Sequence, residues 1–103
     1  MTDSNMQKTA LVTGATSGLG FEAAAQLAEA GYMSVTITGR SEAKAEEARS
    51  ELVARTGKNV FATLALDLNK PTSVEAAAEE LVKRGNAIDF LLLNAGIVSG
   101  NEL

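Results

Sequence analysis

The sequence contains neither cysteine nor histidine, and each absence excludes a class of chemistry. Without cysteine the chain forms no disulfide, has no thiol nucleophile and builds no cysteine-ligated zinc site. Without histidine it lacks the base of serine–histidine–aspartate and cysteine–histidine catalysis, and it also lacks the commonest metal ligand. Chemistry in this chain therefore depends on glycine backbone, hydroxyls, carboxylates and a small number of cations.

Positive charge is also scarce. Nine Lys and Arg residues against thirteen Asp and Glu residues give a formal net charge of −4, and no run of basic residues occurs. This balance predicts neither a nucleic-acid partner nor an anionic membrane partner. The first residues have no signal-peptide core, and no apolar run approaches the roughly 20 residues of a membrane helix. We therefore expect a cytoplasmic protein.

Strand-like and helix-like segments alternate after a polar stretch at residues 1–7, for which we expect a flexible tail. A chain of 103 residues with 46% apolar residues is sufficient for one domain. Apolar, β-branched runs predict four strands, at residues 9–13, 34–38, 60–66 and 88–93. Helical spacing between them predicts three helices, at residues 18–30, about 41–55 and about 71–84.

Strands that alternate with helices of this length predict an α/β fold with right-handed crossovers and a parallel sheet. The order β-α-β-α-β-α-β gives a doubly wound sheet with strand order 3-2-1-4 if the chain reverses direction beside the first strand. A ligand crevice opens at such a reversal, outside the carboxyl ends of the strands. Side chains that follow the strands are therefore the candidates for a binding site.

Each predicted helix carries apolar residues at helical spacing, and these residues predict the face that packs on the sheet. They are Leu19, Ala23, Leu27 and Ala30 in the first helix, Ala45, Ala48 and Leu52 in the second, and Val74, Ala78, Leu81 and Val82 in the third. Glu51 and Arg55 have the spacing of an ion pair on the exposed face of the second helix.

A glycine-rich segment joins the first strand to the first helix, from Thr13 to Gly20. Gly14 allows a tight turn, Gly18 removes a side chain where backbone would approach a phosphate, and Gly20 allows the helix to pack close to the strand. The helix directs unpaired N–H groups and its positive dipole end toward the loop, which favours an anion. The alternative is a strand-to-helix connection that is rich in glycine but binds no ligand.

The spacing of this segment, Thr-Gly-x-x-x-Gly-x-Gly, resembles the short-chain dehydrogenase/reductase family. The resemblance implies a Rossmann-type doubly wound parallel sheet, truncated here, with residues 8–103 as the N-terminal half of the dinucleotide-binding domain. It also implies that the loop binds the cofactor. The loop residues to which this role is carried over are Gly14, Thr16, Ser17, Gly18, Leu19 and Gly20.

Arg40 and Ser41 follow the second strand, where dinucleotide folds that select NAD carry an acid for the ribose hydroxyls. No acid occurs from residue 36 to residue 41. Arg40 offers a forked cation suited to a 2′-phosphate, and Ser41 adds a donor, so the predicted cofactor is NADP. NADP-preferring members often carry a second basic residue before the middle glycine, where this chain has Ser17. The alternative is an arginine at a helix start that stays in solvent.

The resemblance also assigns roles after the third and fourth strands. Asp67 would accept a hydrogen bond from the adenine amino group, and the backbone N–H of Leu68 would contact the ring. Asn94-Ala95-Gly96 resembles a family element whose small residues leave room for the adenosine ribose, although many members carry another Asn where Leu93 stands. The alternatives are an aspartate that helps to begin a turn and a plain Asn–Gly turn.

The family resembled transfers hydride between NADP(H) and a carbonyl or alcohol, with a catalytic tyrosine and a lysine four residues later. The single tyrosine here, Tyr32, has Thr36 at that distance and is predicted to be a packing residue; the catalytic positions would lie beyond Leu103. Three interpretations stay open: the NADP-binding portion of an oxidoreductase, a non-catalytic nucleotide-binding module, and a half-fold. A partner chain or a second copy would complete the half-fold through the open edge of the fourth strand.

Overall fold

The computed structural model of the chain describes residues 8–16, 18–85 and 87–93. Four strands and three helices alternate in the predicted order, and each begins and ends within two residues of its predicted range. The strands are β1 (Thr9–Val12), β2 (Ser34–Gly39), β3 (Phe61–Ala65) and β4 (Phe90–Leu92). The helices are α1 (Gly18–Glu29), α2 (Glu42–Thr56) and α3 (Pro71–Arg84). The expected tail at residues 1–7 lies outside the described ranges.

The four strands form one parallel sheet in the order β3-β2-β1-β4, which confirms the predicted 3-2-1-4 arrangement. Ala10 of β1 lies beside Val35 of β2 on one side and beside Phe90 of β4 on the other. Val35 lies in turn beside Phe61 of β3. The fold is therefore a Rossmann-like α/β sheet, and the direction of winding reverses at β1, as the sequence indicates.

One face of the sheet packs against α1 and α2 and forms the hydrophobic core. Alternate strand residues enter this core, among them Val12, Val35 and Ile37. Small alanines of α1 and Leu52 of α2 meet them from the helices. The intervening strand residues point to the other face, where Leu81 of α3 lines a small cavity together with strand residues. Right-handed crossovers explain this division, because the return from β3 to β4 reverses direction and carries α3 across the sheet.

The buried stripe of α1 is displaced by one residue from the predicted one. The structure buries Gly20, Ala24, Ala25 and Ala28, whereas Leu19 is 77% exposed and Ala30 is also exposed. The prediction that Leu19 and Ala30 face the sheet is therefore wrong; Leu27 packs partly buried against the core. The physical reason is that Gly20, which has no side chain, occupies the point of close approach, and the residues one and two turns later follow it into the core.

Helix α3 is less buried than its sequence indicates. Ala77 is the one buried residue of α3, while Val74 is 40% exposed and Val82 is 79% exposed. The predicted packing face of Val74, Ala78, Leu81 and Val82 is therefore wrong except for Leu81, which is half-buried. Within the described residues, α3 is the only helix on its face of the sheet, so half of its apolar stripe has no neighbour to pack against.

Helix α2 matches its prediction closely. Ala45, Ala48 and Leu52 are buried, and Ser41 is the N-cap, its Oγ accepting the Lys44 N–H at 3.2 Å. Gly57 ends the helix with φ of 71°. None of the helices in the described ranges combines the length and hydrophobicity that crossing a membrane would require.

Arg55 pairs with a different partner from the predicted Glu51. Its Nη1 and Nη2 atoms donate to the carboxylate of Glu22 on α1 at 2.5 and 2.8 Å, and its guanidinium lies 5.8 Å from the centroid of the Phe21 ring. These contacts join α1 to α2, and the hydrogen bonds from Arg55 lower the pKa of Glu22. A forked, bidentate contact that also covers an aromatic ring is preferred to a single pair along an exposed helix.

The core position of Leu52 generates a test of the fold. Leu52 is fully buried, and Leu52→Ala should lower the free energy of unfolding by about 2–5 kcal/mol because the substitution leaves a cavity between α2 and the sheet. Urea unfolding monitored by circular dichroism measures this loss. Leu19→Ala is the matched control, since Leu19 is exposed, and it should change the unfolding free energy by less than about 0.5 kcal/mol. Equal losses in the two variants would contradict the observed orientation of α1 and α2.

Candidate functional site

The carboxyl ends of the parallel strands meet at one edge of the sheet, and the loops that follow them are tied together there. The Thr13 N–H donates to the Leu92 carbonyl at 3.0 Å, and the Ala15 N–H donates to the Thr38 carbonyl at 3.1 Å. The Leu66 N–H donates to the Gly39 carbonyl at 2.8 Å. These hydrogen bonds extend the sheet beyond its strands, so the candidate residues after β1, β2 and β3 lie along one edge.

The glycine-rich loop after β1 makes the turn that its sequence predicts. Gly14 has φ of 65° and Gly18 has φ of 62°, values in the left-handed region that favours glycine. Among the described residues, a Cβ atom on Gly18 would meet no atom of another segment within 4 Å, so these residues leave the space beside Gly18 open. Gly20 is buried where α1 crosses the sheet. Ser17, the remaining candidate in mid-loop, lies outside the described residues.

The electrostatics of this edge favour an anion. Helix α1 begins at Gly18 with no acidic residue in its first turn, so nothing within that turn opposes the positive end of its dipole. Arg40, directly after β2, is exposed, and none of the three ion pairs among the described residues involves it. Thr16 and Leu19 are exposed at the same loop. The edge therefore combines an open loop, a helix N-terminus and an unpaired cation.

Two residues at the end of β2 matter to this edge and were not singled out by the sequence. Thr38 is 2% exposed, and its Oγ1 accepts the Gly14 N–H at 3.1 Å. Gly39 has no room for a side chain, since a Cβ there would lie 2.9 Å from the Ala45 N and 3.1 Å from Thr16 Cγ2. The only signal in the sequence was their position directly before Arg40. A larger residue at position 39, an acid included, would require the first turn of α2 to shift.

The residues after β3 form a turn in which one carboxylate oxygen of Asp67 is already hydrogen-bonded. Asp67 Oδ1 accepts the Asn69 N–H at 3.0 Å, and the Asp67 N–H donates to Ser73 Oγ at 2.8 Å. Asp67 therefore does help to begin the turn, and its carboxylate retains a second oxygen that can accept another donor. Leu68 is 52% exposed beside it. Asn94, Ala95 and Gly96, predicted to complete the site after β4, lie outside the described residues.

The single tyrosine of the chain does not lie at this edge. Tyr32 lies between α1 and β2, at the opposite edge of the sheet, and packs partly buried against the core as predicted. Among the residues that the structure describes, no three His, Cys, Asp or Glu side chains could together hold a metal ion. The arrangement is suited to binding a phosphate-bearing ligand.

Comparison with known proteins agrees with this geometry. The sequence profile of the short chain dehydrogenase family matches residues 8–103. The chain belongs to the short-chain dehydrogenase family. This family of oxidoreductases is the one that the Thr-Gly-x-x-x-Gly-x-Gly spacing resembles, so that expectation is confirmed.

Individual members of the family are similar to this chain over most of its length. Short chain dehydrogenase resG of Aspergillus sclerotiorum is 40% identical over 95 residues, which cover 92% of this chain and 26% of that protein. The 3-oxoacyl-[acyl-carrier-protein] reductase FabG of Staphylococcus epidermidis is 40% identical over 98 residues, which cover 95% of this chain and 39% of that protein. The chain thus spans about a quarter to two fifths of these relatives.

A solved structure gives the same picture. The structure of L-sorbose reductase from Gluconobacter frateurii, complexed with NADPH and L-sorbose, matches with a TM-score of 0.76 and 28% sequence identity. The match covers 96% of this chain and 38% of that protein. The similarity therefore extends across the described sheet and its helices.

The close packing at Gly39 generates a prediction about the edge itself. Gly39→Ala should lower the free energy of unfolding by about 1–3 kcal/mol, because the new Cβ forces the first turn of α2 away from β2. Amide chemical shifts of Ala45 and Thr16 should move in the same variant. Gly57→Ala is the control for the chemical shifts: its positive φ makes alanine unfavourable there and should also lower the stability, but its Cβ meets no atom of another segment, so the shift changes should stay at the end of α2. Unchanged shifts at Ala45 would show that Gly39 is not a point of close contact.

Proposed function

We propose that this chain binds NADP(H) as the adenosine- and pyrophosphate-binding portion of a short-chain dehydrogenase/reductase. The observation that carries the proposal is the open, acid-free loop at the N-terminus of α1 beside the exposed Arg40. The whole protein would transfer hydride between NADP(H) and a carbonyl or alcohol. The single tyrosine, Tyr32, lies away from the edge, so the proposal assigns the catalytic residues to polypeptide outside these 103 residues.

The pyrophosphate would lie in front of α1. The open space at Gly18 admits a phosphate close to the backbone, and the first N–H groups of the helix supply donors. The residues that would surround the pyrophosphate are Gly14, Thr16, Ser17, Gly18, Leu19 and Gly20. The fit of this loop to a phosphate is the reason for placing the cofactor here rather than in the cavity beside α3.

The 2′-phosphate would be bound by Arg40 and Ser41. Arg40 is exposed and can turn its planar guanidinium toward a phosphate, while Ser41 can donate its hydroxyl hydrogen even though its Oγ caps α2. The close packing at Gly39 supports NADP(H) over NAD(H), since an acid at this position would require the first turn of α2 to move away from β2.

The adenosine would complete the site across β3 and the segment after β4. We assign the adenine amino group to the second oxygen of Asp67, the ring to the backbone N–H of Leu68, and the ribose to Asn94, Ala95 and Gly96. The NADPH in the L-sorbose reductase structure supports the same cofactor here, because that protein is similar to this chain over the whole described sheet.

The role of Arg40 can be tested by isothermal titration calorimetry with NADPH and NADH. Arg40→Asp should weaken NADPH binding by about 1.5–3 kcal/mol, the loss expected for a hydrogen bond to a charged group, and should weaken NADH binding much less. Lys58→Asp makes the same change of charge beyond the end of α2 and is the control. If NADPH and NADH lose affinity equally in Arg40→Asp, Arg40 does not contact the 2′-phosphate.

A second candidate function is favoured by the exposed apolar side chains of β4. In the described residues β4 pairs with β1 alone, and Leu91 is 51% exposed. Under this alternative the chain is a half-fold that another polypeptide or a second copy completes through that edge.

Self-association through β4 would make the molar mass of the chain rise with concentration in light scattering. Leu91→Lys should then suppress the rise, because a charge would face the apolar contact. Leu68→Lys, at a residue of almost equal exposure (52%), should leave it unchanged. A monomeric mass at all concentrations would exclude completion by a second copy.

A further inference from the structure

Thr38 is a buried polar residue that neither phosphate nor adenine would reach. It is the second-to-last residue of β2 and is 2% exposed. A hydroxyl removed from water to this extent is stable only when hydrogen-bonded, and its observed contact is with the glycine-rich loop. Thr38 therefore combines complete burial with a specific contact to the segment that would bind the pyrophosphate.

Two consecutive loop residues are held by this one threonine. The Gly14 N–H donates to Thr38 Oγ1 at 3.1 Å, and the Ala15 N–H donates to the Thr38 carbonyl at 3.1 Å. The first of these bonds requires a hydrogen-bond acceptor on the side chain, here the threonine hydroxyl, whereas the second uses a backbone carbonyl that every residue has. The identity of residue 38 thus matters at Gly14, where the loop turns.

The hydrogen bonds also determine which loop donors remain for a ligand. The N–H groups of Thr13, Gly14 and Ala15 are directed to β4 and β2. The donors available to a phosphate are consequently those of later residues, at the start of α1. Moving Gly14 would move that helix start relative to Arg40, because Arg40 follows Thr38 by two residues, directly after β2.

We infer that Thr38 is a positioning residue. Its hydroxyl holds the glycine-rich loop in the position, relative to β2, from which the α1 N-terminus and Arg40 can bind the same cofactor. The inference rests on the proposed function. Thr38 itself touches no cofactor atom; it acts through Gly14. Its loss should reduce the fraction of molecules with a binding-competent loop, and that fraction multiplies the affinity for every cofactor that uses the loop.

The deciding variants are Thr38→Val and Thr38→Ser. Valine replaces the hydroxyl with a methyl group of similar size, and serine keeps the hydroxyl. Thr38→Val should weaken NADPH and NADH binding by the same factor, about twofold to tenfold, as expected for one neutral hydrogen bond. Thr38→Ser should restore most of the affinity. This equal loss differs from the selective loss of NADPH affinity expected for Arg40→Asp.

The matched control is Thr36→Val. Thr36 lies two residues earlier on β2, faces the same side of the sheet and is half-buried. The Thr36→Val substitution also replaces a hydroxyl with a methyl group, but at a position that does not contact the loop. A general effect of the substitution on β2 would therefore appear in both variants. Cofactor affinity in Thr36→Val should equal that of the unsubstituted chain.

Amide hydrogen exchange without cofactor gives a second readout. The Gly14 amide should exchange faster in Thr38→Val than in Thr36→Val, and Thr38→Ser should retain its protection. Unchanged Gly14 exchange in Thr38→Val overturns the role of Thr38, and so does a Thr38→Ser chain that behaves like Thr38→Val. If the unsubstituted chain binds neither cofactor, the proposed function is wrong, and the exchange data still decide whether Thr38 holds the loop.

Discussion

The candidate site depends on the hydrogen bonds that continue the sheet past the ends of its strands. Thr13 is tied to β4, Ala15 to β2, and Leu66 to β2 through the Gly39 carbonyl. Without them the loops after three parallel strands would be independent, and a ligand would have to order each one at the cost of its conformational entropy. Because these hydrogen bonds are present, the loops are already ordered before a ligand binds.

The end of β2 is the point at which these constraints meet. Thr38 contacts the loop after β1, and Gly39 allows both Thr16 and the first turn of α2 to approach the strand. Gly39 has no positive φ, so its requirement is for space and not for an unusual backbone conformation. Because α2 packs so close to Gly39, an acid at this position would have to displace the helix, which links the packing of the fold to the proposed preference for NADP(H).

The sequence predicts the sheet, its strand order and the edge on which the candidates lie, because alternating apolar runs and glycine spacing are local signals. It does not predict which face of α1 is buried, since that helix is rich in alanine and several stripes are equally apolar. The sequence also does not predict the ion pair between Arg55 and Glu22 or the contact of Thr38 with the loop, because both join segments that are distant in sequence. A threonine in a strand reads simply as a β-branched residue.

The two faces of the sheet differ in how well their apolar side chains are covered, and this difference bears on which part of the proposed site is well supported. Of the nine large exposed hydrophobic residues among those described, six lie on or beside α3 and β4: Val74, Val82, Ile88, Phe90, Leu91 and Leu93. The candidate loop and Arg40 are instead attached to β1 and β2, whose core is closed by α1 and α2. The proposed phosphate site is thus supported by the well-packed part of the fold, whereas the ribose assignment depends on the segment after β4. The phosphate part of the proposed site is therefore the part that depends least on the segment after β4.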